Sequence, residues 1–193
     1  MLTFGLLVFL ATAVSARVPN VRQLFWPDQF KMDFVTPSNT TYASWGTLFF
    51  SKHLKATRID HSAGAYECVH FYNTTSACTL FMTSAGLQRT LSSTGDCCVD
   101  NPTIHSTDGR WMVNTTFGGD AVIAGRVCHA WLGEHTYYSD AIDNRPCGFT
   151  YPPAPQQNMQ FLFHTFNKSV QLTSEFMIPS NCSSLCQSPN PEA

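Results

Sequence analysis

Eight cysteines, two of them adjacent, constrain what this chain can fold into more than any other feature. They are Cys68, Cys78, Cys97, Cys98, Cys128, Cys147, Cys182 and Cys186. An even count in an oxidising compartment implies disulfides, and small secreted domains use them to supplement a limited core. Cys97 and Cys98 cannot close on each other without a strained ring. In extended backbone their side chains point to opposite faces, so they are expected to reach two different partners and to staple two different layers. Spacing alone does not fix the connectivity, since eight cysteines allow about 105 pairings. Zinc is disfavoured, because no C-x-x-C pair with matching His spacing is present.

The compartment follows from two further features. Met1 to Ala16 reads as a signal peptide: Leu2 to Val14 is apolar, too short to span a bilayer, and Ala13 and Ala16 offer small residues for cleavage. Five N-x-[ST] sequons follow, at Asn39, Asn73, Asn114, Asn167 and Asn181. That density places the chain in the secretory pathway and those Asn at the surface. Cys182 inside the last sequon makes Asn181 the weakest glycan acceptor if that cysteine is bonded. Charged residues are only 12% of the chain and the net charge is −2. Glycans would supply the hydration that so few charges cannot. No basic patch suits nucleic acid, no polybasic run suits anionic headgroups, and no second apolar run reaches the ~20 residues of a membrane helix. The expected organisation is a signal peptide over 1–16, one domain over 17–187 and a tail over 188–193.

The body of the chain reads as strand after strand. Phe30, Met32 and Phe34 alternate with Lys31 and Asp33. Thr47 to Phe50, Lys55 to Ile59, Tyr66 to Tyr72, Cys78 to Thr83 and Gly86 to Leu91 follow, separated by polar or Gly-containing turns. Ala121 to Ile123 and Arg126 to Cys128 flank Ala124-Gly125, a tight hairpin signal. Thr136 to Ser139, Met159 to Phe163 and Phe176 to Ile178 complete the series. Breaks every ~8–12 residues predict an antiparallel all-β domain. The only helical expectation is a short one near Asp108 to Val113.

Catalytic signals are weak. Asp60-His61 is expected to close a strand, and Glu134-His135 sits beside Gly133 at a hairpin tip. No G-x-S-x-G elbow, phosphate-binding Gly loop or EF-hand loop occurs. Aromatic residues are more telling, at 13% of the chain. Any one of them is more often core than ligand contact. Together they suit a sheet curved around an apolar ligand.

Several segments together resemble the ependymin-related family, whose fold is similar to bacterial lipoprotein carriers of the LolA type. They are W-P-D-Q-F at Trp26 to Phe30, G-T-L-F-F at Gly46 to Phe50, R-I-D-H at Arg58 to His61 and Y-E-C-V-H-F-Y-N-T at Tyr66 to Thr74. The pair Cys97-Cys98, T-F-G-G-D at Thr116 to Asp120 and the pattern Gly125, Cys128, Trp131 follow. H-T-Y-Y-S-D at His135 to Asp140 and I-P-S-N-C at Ile178 to Cys182 close the domain. The resemblance implies curved antiparallel sheets forming a half-open barrel, stapled by disulfides, in a secreted or lysosomal glycoprotein. It implies a hydrophobic or lipid ligand on the concave face, with calcium association and cell-matrix contact as proposed alternatives, and no enzymatic activity or cofactor. By analogy, one of Cys97 and Cys98 bridges to Cys182. Cys147 and Cys186 depart from the pattern and are expected to bond to each other.

The leading expectation is therefore a secreted binding module for a hydrophobic small molecule or lipid, with Phe49, Phe71, Trp131, Tyr137, Phe161 and Phe163 as pocket candidates. The competing readings are a structural or adhesive glycoprotein with a filled interior and, less favoured, a hydrolase using His61 or His135. A homodimer stays open as its assembly.

Overall fold

Alternation of apolar and polar side chains builds this fold strand by strand. The structure is a computed structural model and describes residues 26–36, 43–91, 94–106, 114–150, 158–169 and 173–186. Its strands are β1 (Gln29–Val35), β2 (Trp45–Ser51), β3 (Ala56–His61), β4 (Cys78–Thr83), β5 (Gly86–Leu91), β6 (Cys97–Asn101), β7 (Thr116–Ile123), β8 (Arg126–Leu132), β9 (Thr136–Asp140), β10 (Pro146–Thr150) and β11 (Met159–Phe161). They form one 11-stranded sheet in the order β6-β5-β4-β3-β2-β1-β11-β10-β9-β8-β7. The two meanders, β1 to β6 and β7 to β11, join where Phe34 faces Phe161. Every paired neighbour is antiparallel, and β6 and β7 are the edges of an open sheet.

Cross-strand register sorts the side chains into two faces, because directly opposite residues share a face. Phe30, Met32 and Phe34 lie opposite Phe50, Leu48 and Gly46, and that row continues through Thr57, Ile59 and His61 to Met82, Leu80 and Cys78. On the other side it runs through Phe161 and Met159 to Phe149, Tyr137 and Trp131. The main core cluster is on this face: Phe30, Met32, Phe34, Leu48, Phe50 and Phe161. Each such side chain is worth about 1.5–3 kcal/mol when fully buried.

The sheet curls around this face. Met82 on β4 and Tyr137 on β9 are six strands apart in the sheet order. In a flat sheet at ~4.8 Å per strand they would stand ~29 Å apart. Both nevertheless line one cavity. Trp26, just before β1, spans the hollow: its Nε1 donates to Tyr137 Oη at 2.7 Å, and its ring meets Phe30 and Phe50 edge-on at 5.3 and 5.0 Å.

Three expectations need correction. Tyr66 to Tyr72 is not a strand but the helix α1 (Tyr66–Tyr72). The alternation of Tyr66, Cys68, His70 and Tyr72 mimics a period of two. The residues that bury are Ala65, Glu67 and Cys68, with Tyr72 packed beside them, and this is helical spacing. Asn73, in the left-handed conformation at φ 52°, stops the helix, and its N–H bonds Val69 O at 3.0 Å. Phe176 ends a 3-10 turn, Thr173–Phe176, rather than starting a strand. Beyond Phe161 the strand gives way to a second 3-10 turn, Phe163–Thr165, and the chain rejoins β1 at Asn167, which bridges Lys31. Strands β6 and β10 have no counterpart in the sequence reading. The helix expected at 108–113 falls outside the described residues.

The disulfides pair Cys68 with Cys78, Cys97 with Cys182, Cys98 with Cys186, and Cys128 with Cys147. Cys97 and Cys98 do take different partners, and Cys97 takes Cys182. Both partners, however, lie on one C-terminal segment, so the pair staples a single layer to the β6 edge. There Leu185 bridges Val99 in parallel, and Val99 N–H donates to Ser184 O at 2.8 Å, covering backbone that would otherwise be an open edge. The expected Cys147–Cys186 bond is not formed. Cys147 instead ties β10 to β8 across β9, where the bulge between Pro146 and Gly148 turns it toward Cys128.

Turns are fixed by local chemistry. Ala124 and Gly125 carry φ 48° and 79° at the β7–β8 hairpin, as a two-residue primed turn requires. Asp140 ends β9 with a buried carboxylate. Burial raises its pKa, but the Arg126 hydrogen bonds at 2.7 and 2.9 Å and the N–H groups of Ile142 and Asp143 hold it below the usual carboxylate value. Gly46 is irreplaceable for a different reason: a Cβ there would overlap Asp60 O and the Phe34 ring. Gly46→Ala is expected to cost about 2–3 kcal/mol and lower the thermal midpoint by about 5–10 °C. A calorimetric midpoint within about 1–2 °C of the parent would contradict this packing.

Candidate functional site

The concave face holds a half-open cavity of about 330 Å³ lined by Trp26, Leu48, Thr57, Ile59, Met82, His135, Tyr137, Phe149, Met159 and Phe161. Six different strands contribute, and the register explains why. Leu48, Ile59 and the Thr57–Met82 pair come from one meander, and Tyr137, Phe149, Met159 and Phe161 from the other. The Trp26–Tyr137 bond joins the two halves beneath them. The size lies at the small end of ligand pockets, roughly 300–1,000 Å³.

No described lining residue carries a fixed charge. Thr57 Oγ1 is engaged with Ser106 Oγ at 2.8 Å. Burial pushes the Tyr137 phenol well above its ordinary pKa, against a smaller opposing effect of the Trp26 hydrogen bond, so it stays a neutral hydroxyl. His135 packs its ring on Phe149 at 5.0 Å. Such a lining favours hydrocarbon and penalises an unpaired charge. A second hollow of about 410 Å³ opens on the opposite face beside Trp45, Thr47, Arg58, Asp60 and Thr79. It is the larger, but its Asp60 carboxylate is already taken by Arg58 and Thr79 at 2.8 Å, which suits it poorly to an apolar ligand.

Of the pocket candidates read from sequence, Tyr137 and Phe161 line the cavity. Trp131 does not. It is fully buried behind Tyr137, with Nε1 donating to Ser139 Oγ at 2.9 Å. Phe49 is on the opposite face, packed with Ala56 and Phe176 under the Arg58 guanidinium at 5.0 Å. Phe163 lies in the 3-10 turn past β11, with Arg126 over its ring at 4.0 Å. Phe71 is on α1, and its side chain is outside the described residues. Sequence reading missed Trp26, Leu48, Ile59, Met82, Phe149 and Met159. The alternation in β1 to β4 could have assigned Leu48 and Ile59 to the face of Phe34 once the hairpins were paired.

No family model matches the chain. No curated protein matches it either. A solved structure does share its fold: the crystal structure of an uncharacterized conserved protein from Thermus thermophilus. It superposes with a TM-score of 0.56 over 85% of this chain and 92% of that one, at 8% identity. That likeness bears on the fold alone.

Elsewhere, Asp120, His129 and Ser139 stand opposite one another on β7, β8 and β9. His129 Nδ1 lies 2.7 Å from Asp120 Oδ1. The row has the residue types of a hydrolytic triad without its arrangement, because Ser139 is 1% exposed and its Oγ accepts from Trp131. Among the described residues, no group of three or more His, Cys, Asp or Glu could hold a metal ion. No described helix is long and apolar enough to cross a membrane. Four sequon residues, Asn73, Asn114, Asn167 and Asn181, are exposed, and Asn39 lies outside the described residues. Asn181 Nδ2 donates to Gly95 O at 3.1 Å, a bond that competes with glycan attachment at that atom.

Proposed function

We propose that this chain is a secreted or lysosomal glycoprotein that binds a hydrophobic, lipid-class ligand in the cavity on the concave face of its sheet. The carrying observation is that cavity: an apolar lining drawn from both meanders of a sheet curled around it. Each methylene buried there would contribute ~0.8 kcal/mol, so a single acyl chain gains useful affinity without a charged anchor. The ependymin-related resemblance supports the same reading, as do the leader, the exposed sequons and four disulfides for an exterior or luminal setting. Catalysis is not part of the proposal, because the triad-like row has a buried serine bonded elsewhere.

The test is native mass spectrometry of protein purified from a secreting eukaryotic host, followed by solvent extraction and lipid analysis. The expected result is a discrete co-purifying lipid at about one per chain, or its uptake when fatty acids and phospholipids are added. A clean apo mass with no uptake would overturn the carrier reading in favour of a structural glycoprotein.

A further inference from the structure

Helix α1 docks on the same face as the cavity, and its buried contact with the sheet contains an acid and a base. Glu67 on α1 and His61 at the end of β3 are 4% and 3% exposed. Glu67 Oε2 stands 3.5 Å from His61 Nδ1. Among the described residues, neither imidazole nitrogen has a hydrogen-bond partner, and neither does Glu67 Oε2. His61 packs edge-on against Phe34 at 5.7 Å, and Phe34 packs in turn on the cavity wall residue Phe161 at 6.4 Å.

The other charged and titratable groups around the helix are engaged elsewhere. From β5, the Arg89 guanidinium lies over the Tyr72 ring at 4.6 Å and pairs with Asp100. From β3, Asp60 points to the opposite face and holds Arg58 and Thr79. On α1 itself His70 stacks on Tyr66 at 4.9 Å, and Cys68 is bonded to Cys78 on β4. Glu67 and His61 therefore have chiefly each other.

We propose that this buried Glu67–His61 pair is a pH compensator, which keeps α1 docked with nearly constant firmness from neutral to mildly acidic solution. Burial favours the neutral form of each group. It pushes Glu67 up to about 7, with a smaller opposing effect from its own backbone hydrogen bond. It pushes His61 down to about 4, against a smaller opposing effect of Asp60. Released into water, the two would titrate at 4.5 and 6.5. Glu67's contribution to docking is complete below about 4.5 and is lost as pH rises through about 7. His61's contribution is complete above about 6.5 and is lost as pH falls through about 4. Between about 4.5 and 6.5 the slopes are equal and opposite. In that window the pair holds one proton whether α1 is docked or released, and whichever of the two residues carries it. Docking then has no reason to change with pH. Either group alone in that site would make α1 a pH switch, and the two together cancel. A protein working both outside the cell and in an acidic lumen would keep the cavity's neighbouring helix in place in each.

The test is amide hydrogen exchange of α1 in the full chain from about pH 4 to 7.5, corrected for intrinsic exchange, in the parent, Glu67→Gln and His61→Phe. Parent protection is expected to vary less than about fivefold between about pH 4.5 and 6.5. Glu67→Gln leaves the His61 slope exposed, so protection should rise on the order of 10²-fold from about pH 4 to 6.5. His61→Phe leaves the Glu67 slope, so protection should fall by a similar factor from about pH 4.5 to 7. Should a variant fail to fold, the parent's Glu67 carboxyl carbon, followed by NMR, is expected to titrate near about 7. A parent slope of a full decade per pH unit, variants as flat as the parent, or a Glu67 midpoint in the ordinary carboxylate range would each overturn the proposal.

Discussion

Replacing Trp131 with alanine is expected to cost about 3–5 kcal/mol, the largest loss of any single truncation in the β7–β11 meander. Trp131 is fully buried, and Tyr137 opposite it is 1% exposed. Its ring contacts Phe117 at 5.5 Å and His129 at 6.3 Å. Truncation removes that packing, opens a void under the Tyr137 side of the cavity wall, and leaves Ser139 Oγ without the indole donor it now receives. An unmatched buried hydroxyl adds about 1 kcal/mol or more to the cavity cost. Since a domain of this size has about 5–15 kcal/mol in hand, the variant should fold marginally. Trp131→Phe separates the two effects, because it keeps most of the ring volume and loses the hydrogen bond. It should lie well above the alanine variant in urea denaturation. An alanine variant within about 1 kcal/mol of the parent would mean that this tryptophan is not the anchor its burial indicates.

Trp131 also shows what sequence could and could not convey. Its aromatic character and its place after Gly125 and Cys128 marked it as a pocket candidate, and it packs behind the cavity wall instead. Whether an inward aromatic lines a cavity or sits behind the wall depends on how far the sheet curls, and one strand's alternation does not carry that. Phe49 and Phe161 make the same point. Apolar neighbours adjoin each in the sequence, Leu48 and Phe50 for Phe49 and Leu162 for Phe161, and only pairing assigns Phe161 to the concave face and Phe49 to the other. The strands themselves were legible where the period was clean, as in β1 and at the Ala124-Gly125 hairpin. They were not where two periods coincide. Tyr66 to Tyr72 satisfies alternation and helical spacing alike, and the arbiter was a long-range one: Cys68 and Tyr72 must face Cys78 and Leu91 across the sheet. The adjacent cysteines predicted two partners correctly, but nothing local said that both partners would come from one segment folded along the β6 edge.

Filling the cavity from one side should abolish most ligand affinity while leaving the fold intact. Ile59 and Met82 line it from β3 and β4 and are both partly buried, so larger side chains there can extend into the hollow rather than into the core. In Ile59→Trp combined with Met82→Trp, each indole displaces about two methylenes' worth of ligand. At ~0.8 kcal/mol per methylene the pair removes ~3 kcal/mol, or about a hundredfold in affinity. The probe is N-phenyl-1-naphthylamine, an uncharged apolar fluorophore that needs no counter-ion in a lining with no fixed charge. The control is Phe49→Leu on the opposite face, which should bind as the parent does and so separates a general loss of stability from loss of the cavity. Added indole packing should leave the urea midpoint of the double variant near that of the parent or above it. Parent-like probe affinity in that variant would place the ligand outside this cavity. Weakened affinity in Phe49→Leu as well would assign the loss to the sheet as a whole rather than to its concave face.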